Sequence, residues 1–436
     1  MLHDQTSPNR RFVAALLALL LLAAACGGRN DNEDAADDSA GDDRSTATTE
    51  KKELVAGPGF DLSTIKVGAL TPLTGPVAGV IGIPLTEGNK VYLEKVNAAG
   101  GIAGKYKLEL VAEDNVYNTD NTKTKYKQIK DQVVMFAQIL GTPPTSAVLV
   151  DLKTDKIMAS PASLDAQWIG EENLLPVGGP YQTQIINGLA YALDEGGAKG
   201  KTVCAFAADD AYGEAGLQGL EFAEKELKFT KGPITRYTAT DTDFTAQVTQ
   251  LKNGNCGIVV DVSLPTQTNT MLGKAQQLGF DPQYYVNQSP TWLSAFAASP
   301  VWQKNVLVMG EGTTWGDETV PGMKEMLADV AKFRPEQKPD SYFTFGYAQM
   351  KAVVKLLEKA VEMGDLSREG ILGASKELGT VKFDGLFGDY RYGKVEDRKP
   401  PKASTVYKVS ATAPGGLEAV KKNFESDAAK KFELGK

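Results

Sequence analysis

From position 65 onward, short apolar runs alternate with longer stretches whose apolar residues recur every three to four positions. Residues 65–70, 107–111 and 136–140 read as strands; 85–96 and 120–134 carry helical spacing. The pattern repeats further on. Strands are predicted at 201–207, 233–238, 257–262 and 283–287, and helices at 213–228, 243–253 and 266–278. Strand–helix–strand repetition implies parallel sheets with right-handed crossovers, a doubly wound α/β class. A charged tail with Leu417, Val420 and Phe424 at helical spacing predicts a C-terminal helix over 411–436.

One turn stands out. The run at 136–140 leads into Gly141-Thr-Pro-Pro-Thr-Ser146 and then into Ala147-Val-Leu-Val150. This reads as a strand-to-helix turn with Thr145 or Ser146 at the N-cap. Hydroxyls and free N–H groups beyond the carboxyl end of a strand favour an anionic ligand group.

The N-terminus has a different pattern. Arg10-Arg11, an apolar run from Phe12 to Leu22 and Ala23-Ala24-Ala25 form a secretory signal over 1–25. The following Cys26 resembles a lipobox cysteine, so a lipid anchor on Cys26 is expected. Residues 26–63 are rich in Asp and Glu with few apolar positions, and read as a disordered acidic tether.

Composition then removes function classes. The net charge of −8 argues against nucleic acid as a partner. The single histidine, His3, lies in the signal, so the mature chain has no His base and no His-ligated metal. No metal, cofactor or catalytic residue is expected. Cys204 and Cys256 sit in or beside apolar runs and are either a disulfide or two buried thiols.

Ile65-Lys-Val-Gly with Pro72-Leu-Thr-Gly-Pro76, Asn97-Ala-Ala-Gly-Gly-Ile102 and Glu113-Asp114 resemble the opening of type 1 periplasmic binding proteins, in the leucine/isoleucine/valine-binding branch of ABC-importer receptors. Ser160-Pro-Ala-Ser163, Asp209-Asp-Ala-Tyr-Gly213 and Gly385-Leu-Phe-Gly-Asp-Tyr390 continue it in order, over about residues 64–410. The resemblance implies two Rossmann-like lobes with a three-strand hinge. Lobe one would be 64–180 with 313–390, and lobe two 181–312 with 391–410. It implies ligand contacts from Thr145, Ser146, Ala162, Ser163, Leu164, Tyr181, Tyr212, Leu264, Gln288 and Tyr342. Leu164 stands where such proteins carry a threonine, and Gln288 or Ser289 stands near their ammonium-binding glutamate. These departures favour a small organic acid, amide or aromatic acid while leaving an amino acid open. The aromatic supply of Tyr181, Tyr212, Trp168, Trp292 and Trp315 suits an apolar ligand body.

The implied partners are a small solute, an ABC permease with its ATPase, and the membrane through the lipid anchor alone, on the outer face of the cell membrane; the chain is expected to be a monomer. The rival reading is a ligand sensor of the same fold without transport. An enzyme is the weaker rival: Ser63-Thr-Ile-Lys66 fits a Ser-x-x-Lys pattern but precedes a strand rather than opening a helix.

Overall fold

The computed structural model describes residues 54–433. The signal, Cys26 and the tether up to residue 53 lie outside the described residues. The last ten residues of the expected tether are ordered, contrary to their polar reading. Val55 N–H donates to the Gly364 carbonyl at 3.0 Å and Leu366 N–H returns to the Val55 carbonyl at 2.9 Å. Phe60 is buried edge-on against Tyr106, centroids 5.1 Å apart. Lys66 N–H also donates to the Gly59 carbonyl at 2.8 Å and Leu54 packs on the lobe-one core, so the segment is docked along its length.

Lobe one is built on β1 (Thr64–Thr71), α1 (Ile83–Ala98), β2 (Lys107–Asp114), α2 (Thr119–Ile129), β3 (Met135–Leu140), α3 (Thr142–Asp155) and β4 (Ala159–Ala162). Its four strands run parallel in the order β2-β1-β3-β4. All six residues of β3 are buried, as a central strand with both faces covered requires. Gln138 on β3 is a polar exception and is satisfied: it accepts from Asn89 at 2.5 Å and donates to Thr71 at 2.8 Å.

The chain then enters lobe two through α4 (Tyr181–Leu193). It continues through β5 (Thr202–Ala208), α5 (Ala211–Leu227), β6 (Lys231–Tyr237), α6 (Thr245–Asn253), β7 (Cys256–Val262), α7 (Pro265–Gln277), β8 (Tyr284–Asn287), α8 (Pro300–Asn305) and β9 (Val306–Gly310). It returns to pack α9 (Pro321–Phe333), α10 (Ser341–Met363) and α11 (Arg368–Lys376) into the core of lobe one. A small hairpin of β10 (Thr380–Val381) and β11 (Tyr390–Arg391) follows. The chain crosses once more to β12 (Ser404–Val409), β13 (Leu417–Phe424) and α12 (Asp427–Lys431). Lobe two's sheet has the order β13-β12-β9-β8-β7-β5-β6, with β12 and β13 antiparallel to their neighbours.

Residues 417–424 therefore form an edge strand rather than the expected helix, and only 427–431 are helical. The burial alternates: Leu417, Ala419 and Lys421 face inward while Glu418 and Val420 face solvent. An alanine and a lysine stem cover the inner face, so the alternation does not show as apolar residues. A disulfide joins Cys204 on β5 to Cys256 on β7, Cα atoms 5.7 Å apart. Among the described residues no helix is long and apolar enough to cross a membrane, and no group of three acidic, His or Cys side chains could hold a metal.

Candidate functional site: the interlobe cleft

A cavity of about 160 Å³ lies beyond the carboxyl ends of the strands of both lobes. Its walls come from the segments following β3 (Leu140 to Thr142), β4 (Ala162 to Leu164), β7 (Leu264), β8 (Ser289, Pro290) and β9 (Glu311), and from Tyr117, Tyr212 and Tyr342. Strand-end loops are where doubly wound sheets take ligands. The two lobes meet across it. Tyr342 on α10 donates its hydroxyl to the Pro290 carbonyl, and Leu264 and Leu293 of lobe two pack on the lobe-one cluster of Ile81, Leu85, Leu140 and Tyr342. The form described is closed.

The helix after β3 starts earlier than its sequence suggests. Gly141 is the N-cap, with φ +98°, and α3 runs from Thr142. Pro143 and Pro144 thus lie inside the first turn, where their missing N–H groups cost nothing. The change matters chemically. Thr145 N–H is used on the Gly141 carbonyl at 3.1 Å, and its buried hydroxyl donates to the same oxygen at 2.8 Å. Ser146 is exposed and away from the cavity. The expected anchor at Thr145 and Ser146 is therefore misplaced by one helical turn, and Thr142 stands there instead.

Thr142 ends a chain of hydroxyls. Trp168 Nε1–H donates to Ser163 Oγ at 2.9 Å, and Ser163 Oγ lies 2.7 Å from Thr142 Oγ1. Indole can only donate, so Ser163 is free to pass its own proton to Thr142. With Ser163 as donor, the Thr142 hydroxyl hydrogen is left for a ligand in the cleft that Thr142 lines. This donor suits a carbonyl or carboxyl oxygen.

Most remaining walls are apolar or aromatic. Ala162 and Leu164 line the cleft from lobe one; Tyr181 and Tyr212 line it edge to face, centroids 5.1 Å apart. Leu264, Tyr342, Trp292 and Trp315 also line it. Trp168 is buried behind Ser163 as a donor instead of forming wall. Gln288 is fully buried and donates to the Tyr181 carbonyl at 3.2 Å, so its side chain faces the lobe-two core, while Ser289 reaches the cavity. The glutamine's neighbour, not the glutamine, occupies the position expected of a ligand contact.

Among the described residues no lysine or arginine lines the cleft; its charged members are Asp340 and Glu311. Asp340 caps α10 through the Phe343 N–H at 2.9 Å, and burial pushes its carboxyl up to about 6. Burial pushes Glu311 up to about 7. Sequence reasoning missed Thr142, Asp340 and Glu311. Proline tolerance in a first helical turn could have moved the cap to Gly141, and a lone acid directly after the apolar run at 306–310 could have flagged Glu311.

Two α/β lobes, each with its own sheet, three crossings between them and a cleft at the strand ends define the type I periplasmic binding fold. The sequence profile described as periplasmic binding protein matches residues 64–414, and the chain belongs to that family. It is similar to Leu/Ile/Val-binding protein homolog 3 of Brucella melitensis, 28% identical over 199 residues. That alignment covers 45% of this chain and about half, 53%, of the relative's length. The fatty acid ABC transporter substrate-binding protein from Thermomonospora curvata superposes with a TM-score of 0.81 at 26% identity, covering 88% of this chain and 98% of that one. A branched chain amino acid ABC transporter protein from Thermus thermophilus with bound valine superposes with a TM-score of 0.73 at 18% identity, covering 85% and 98%, and bears on the fold alone. The family is one of periplasmic binding proteins, solute-binding proteins rather than enzymes, and the Thermomonospora neighbour is named as a substrate-binding protein.

Proposed function

We propose that the chain is the solute receptor of an ABC importer, anchored to the outer face of the cell membrane through lipidated Cys26. Its solute is a small molecule with an apolar body and a carbonyl or carboxyl head. The observation that carries this reading is the cleft itself: apolar and aromatic walls around one hydroxyl relay, Trp168 to Ser163 to Thr142, with no basic side chain in reach. The cavity resembles in size an engineered ~150 Å³ apolar cavity that takes benzene, which favours a compact body over a long chain held entirely inside. The fatty acid in the name of the Thermomonospora protein is a carboxylic acid with an apolar body. The solute would bring the lobes together by touching both walls, and a permease would read the closed state.

The test is calorimetry and thermal shift with 4-methylpentanoate, its amide, benzoate and leucine. The acid or amide should raise the melting point by several degrees at about 100 times its dissociation constant. Thr142→Val should weaken that ligand about tenfold, a loss larger than the about 1 kcal/mol of ligand-free stability that the missing bond to Ser163 costs. Silence from all four ligands overturns the reading. Loss of membrane association in Cys26→Ala tests the anchor.

A further inference from the structure

Glu311 sits where the crossings between lobes converge. It follows β9 on the second crossing. Its Oε1 accepts the N–H of Gly179, on the first crossing. A Cβ placed on Gly179 would meet Oε1 at 3.0 Å and the Pro401 carbonyl, on the third crossing, at 3.0 Å. Glycine at 179 is what lets the three segments close around one carboxyl. Its other oxygen, Oε2, is buried without a well-formed hydrogen bond; the Gly388 backbone N–H approaches the carboxyl, and Oε2 lies 3.7 Å from where a Cβ on Gly388 would be.

Among the described residues no cation is placed to compensate it. The first crossing presents Gly178 and Gly179, with the Leu164 side chain alongside. β11 presents the Tyr390 phenol and β12 the Tyr407 phenol, both pushed up by burial and neither able to supply positive charge. Arg398 is buried nearby, but its guanidinium is spent on the carbonyls of Ile169, Glu171, Glu172 and Gly393. Asp340 across the cleft adds negative charge if ionised. An ionised Glu311 in this closed form is therefore a half-solvated anion without a counter-charge. In an open form, water in the cleft would solvate it.

We infer that Glu311 is a proton-coupled latch of the hinge: closure of the cleft takes up one proton on this carboxyl, and opening releases it. Closure is consequently favoured on the acidic side of neutrality, whatever the solute.

The test needs no ligand, so it stands or falls separately from the solute class. Small-angle X-ray scattering of the full chain, ligand-free, is followed from pH 5.5 to 8.5, a range that brackets the raised Glu311 carboxyl at about 7. The expected result is a radius of gyration that grows as pH rises, with the closed-to-open ratio falling up to about tenfold per pH unit on the acidic side of about 7 and levelling off above it. Glu311→Gln, neutral throughout, should stay compact across the range, and Asp340→Asn should keep the wild-type response. Hydrogen exchange of the wild-type 176–182 segment, corrected for intrinsic rates, gives a second reading that needs no variant: its protection should fall over the same interval. A radius and protection independent of pH, a wild-type response in Glu311→Gln, or a response abolished by Asp340→Asn overturns the inference.

Discussion

Asp261 at the end of β7 and Glu311 in the hinge are both buried carboxyls pushed up to about 7, yet their surroundings differ. Asp261 is wholly inside lobe two and fully served: Ser263 Oγ donates to it at 2.6 Å and Asn287 Nδ2 at 2.9 Å, with Thr268 hydrogen-bonded to Ser263 at 2.5 Å. Glu311 has backbone N–H groups, of Gly179 and the nearby Gly388, and lies on a wall of the cleft. A similar displacement of the titration thus arises in one place from dry enclosure among side-chain donors, and in the other from burial against backbone at the boundary between lobes. The first arrangement holds a fold together; the second is sensitive to motion.

The largest expected effect follows from breaking the complete network. Asp261→Ala takes the acceptor from two buried side-chain donors, Ser263 and Asn287, each costing about 1–3 kcal/mol, and leaves a cavity in the lobe-two core, so thermal melts should show the chain destabilised by many degrees. Glu311→Leu removes the acceptor of the Gly179 N–H and the weaker contact of Gly388, and should cost about 1–3 kcal/mol. Equal losses in the two variants would erase the distinction.

The pH dependence of stability comes next. Both groups have folded-state values raised above their unfolded ones. Their contribution is therefore fully present below the ordinary carboxylate range and is lost as pH rises through about 7. The melting temperature should fall across that window. Glu311→Gln should flatten part of the slope and leave the share of Asp261. Thr268→Val should cost about 1 kcal/mol by loosening the support of Asp261, seen as a small drop in melting temperature with no change in solute affinity. The smallest effect is expected from Tyr342→Phe. Removing the single hydrogen bond to Pro290 across the cleft should speed solute release a few-fold in stopped-flow measurements and leave the ligand-free melting point in place.

The strands and crossovers were legible because buried parallel strands are written as continuous apolar runs. Residues 136–140 and 257–262 gave β3 and β7 within a residue. Much of the cleft wall was legible through the resemblance: Ala162, Ser163, Leu164, Tyr181, Tyr212, Leu264 and Tyr342 all line it. What stayed hidden has local causes. Two prolines after Gly141 look like a barrier to a helix, but in its first turn they fit, and this shifted the expected anchor from Thr142 to Thr145. At the other end, Ala419 and Lys421 cover the inner face of β13 without a hydrophobic signature, so the spacing of Leu417, Val420 and Phe424 read as helix. Glu311 was invisible for a third reason. Its setting depends on Gly179 and Pro401, more than a hundred and about ninety positions away along the chain, and no local pattern encodes that meeting.

The interleaving of the lobes also sets a timetable. β9 ends at Gly310, but its neighbour β12 begins only at Ser404 and the sheet edge is finished by β13 at Phe424. At ribosomal speeds the intervening residues take roughly 6–23 s to emerge. Lobe one waits as well, because α10 is made after the whole of β5 to β9. Lobe one cannot complete its core before α10 is made, nor lobe two its sheet before β13, so neither half closes early in synthesis.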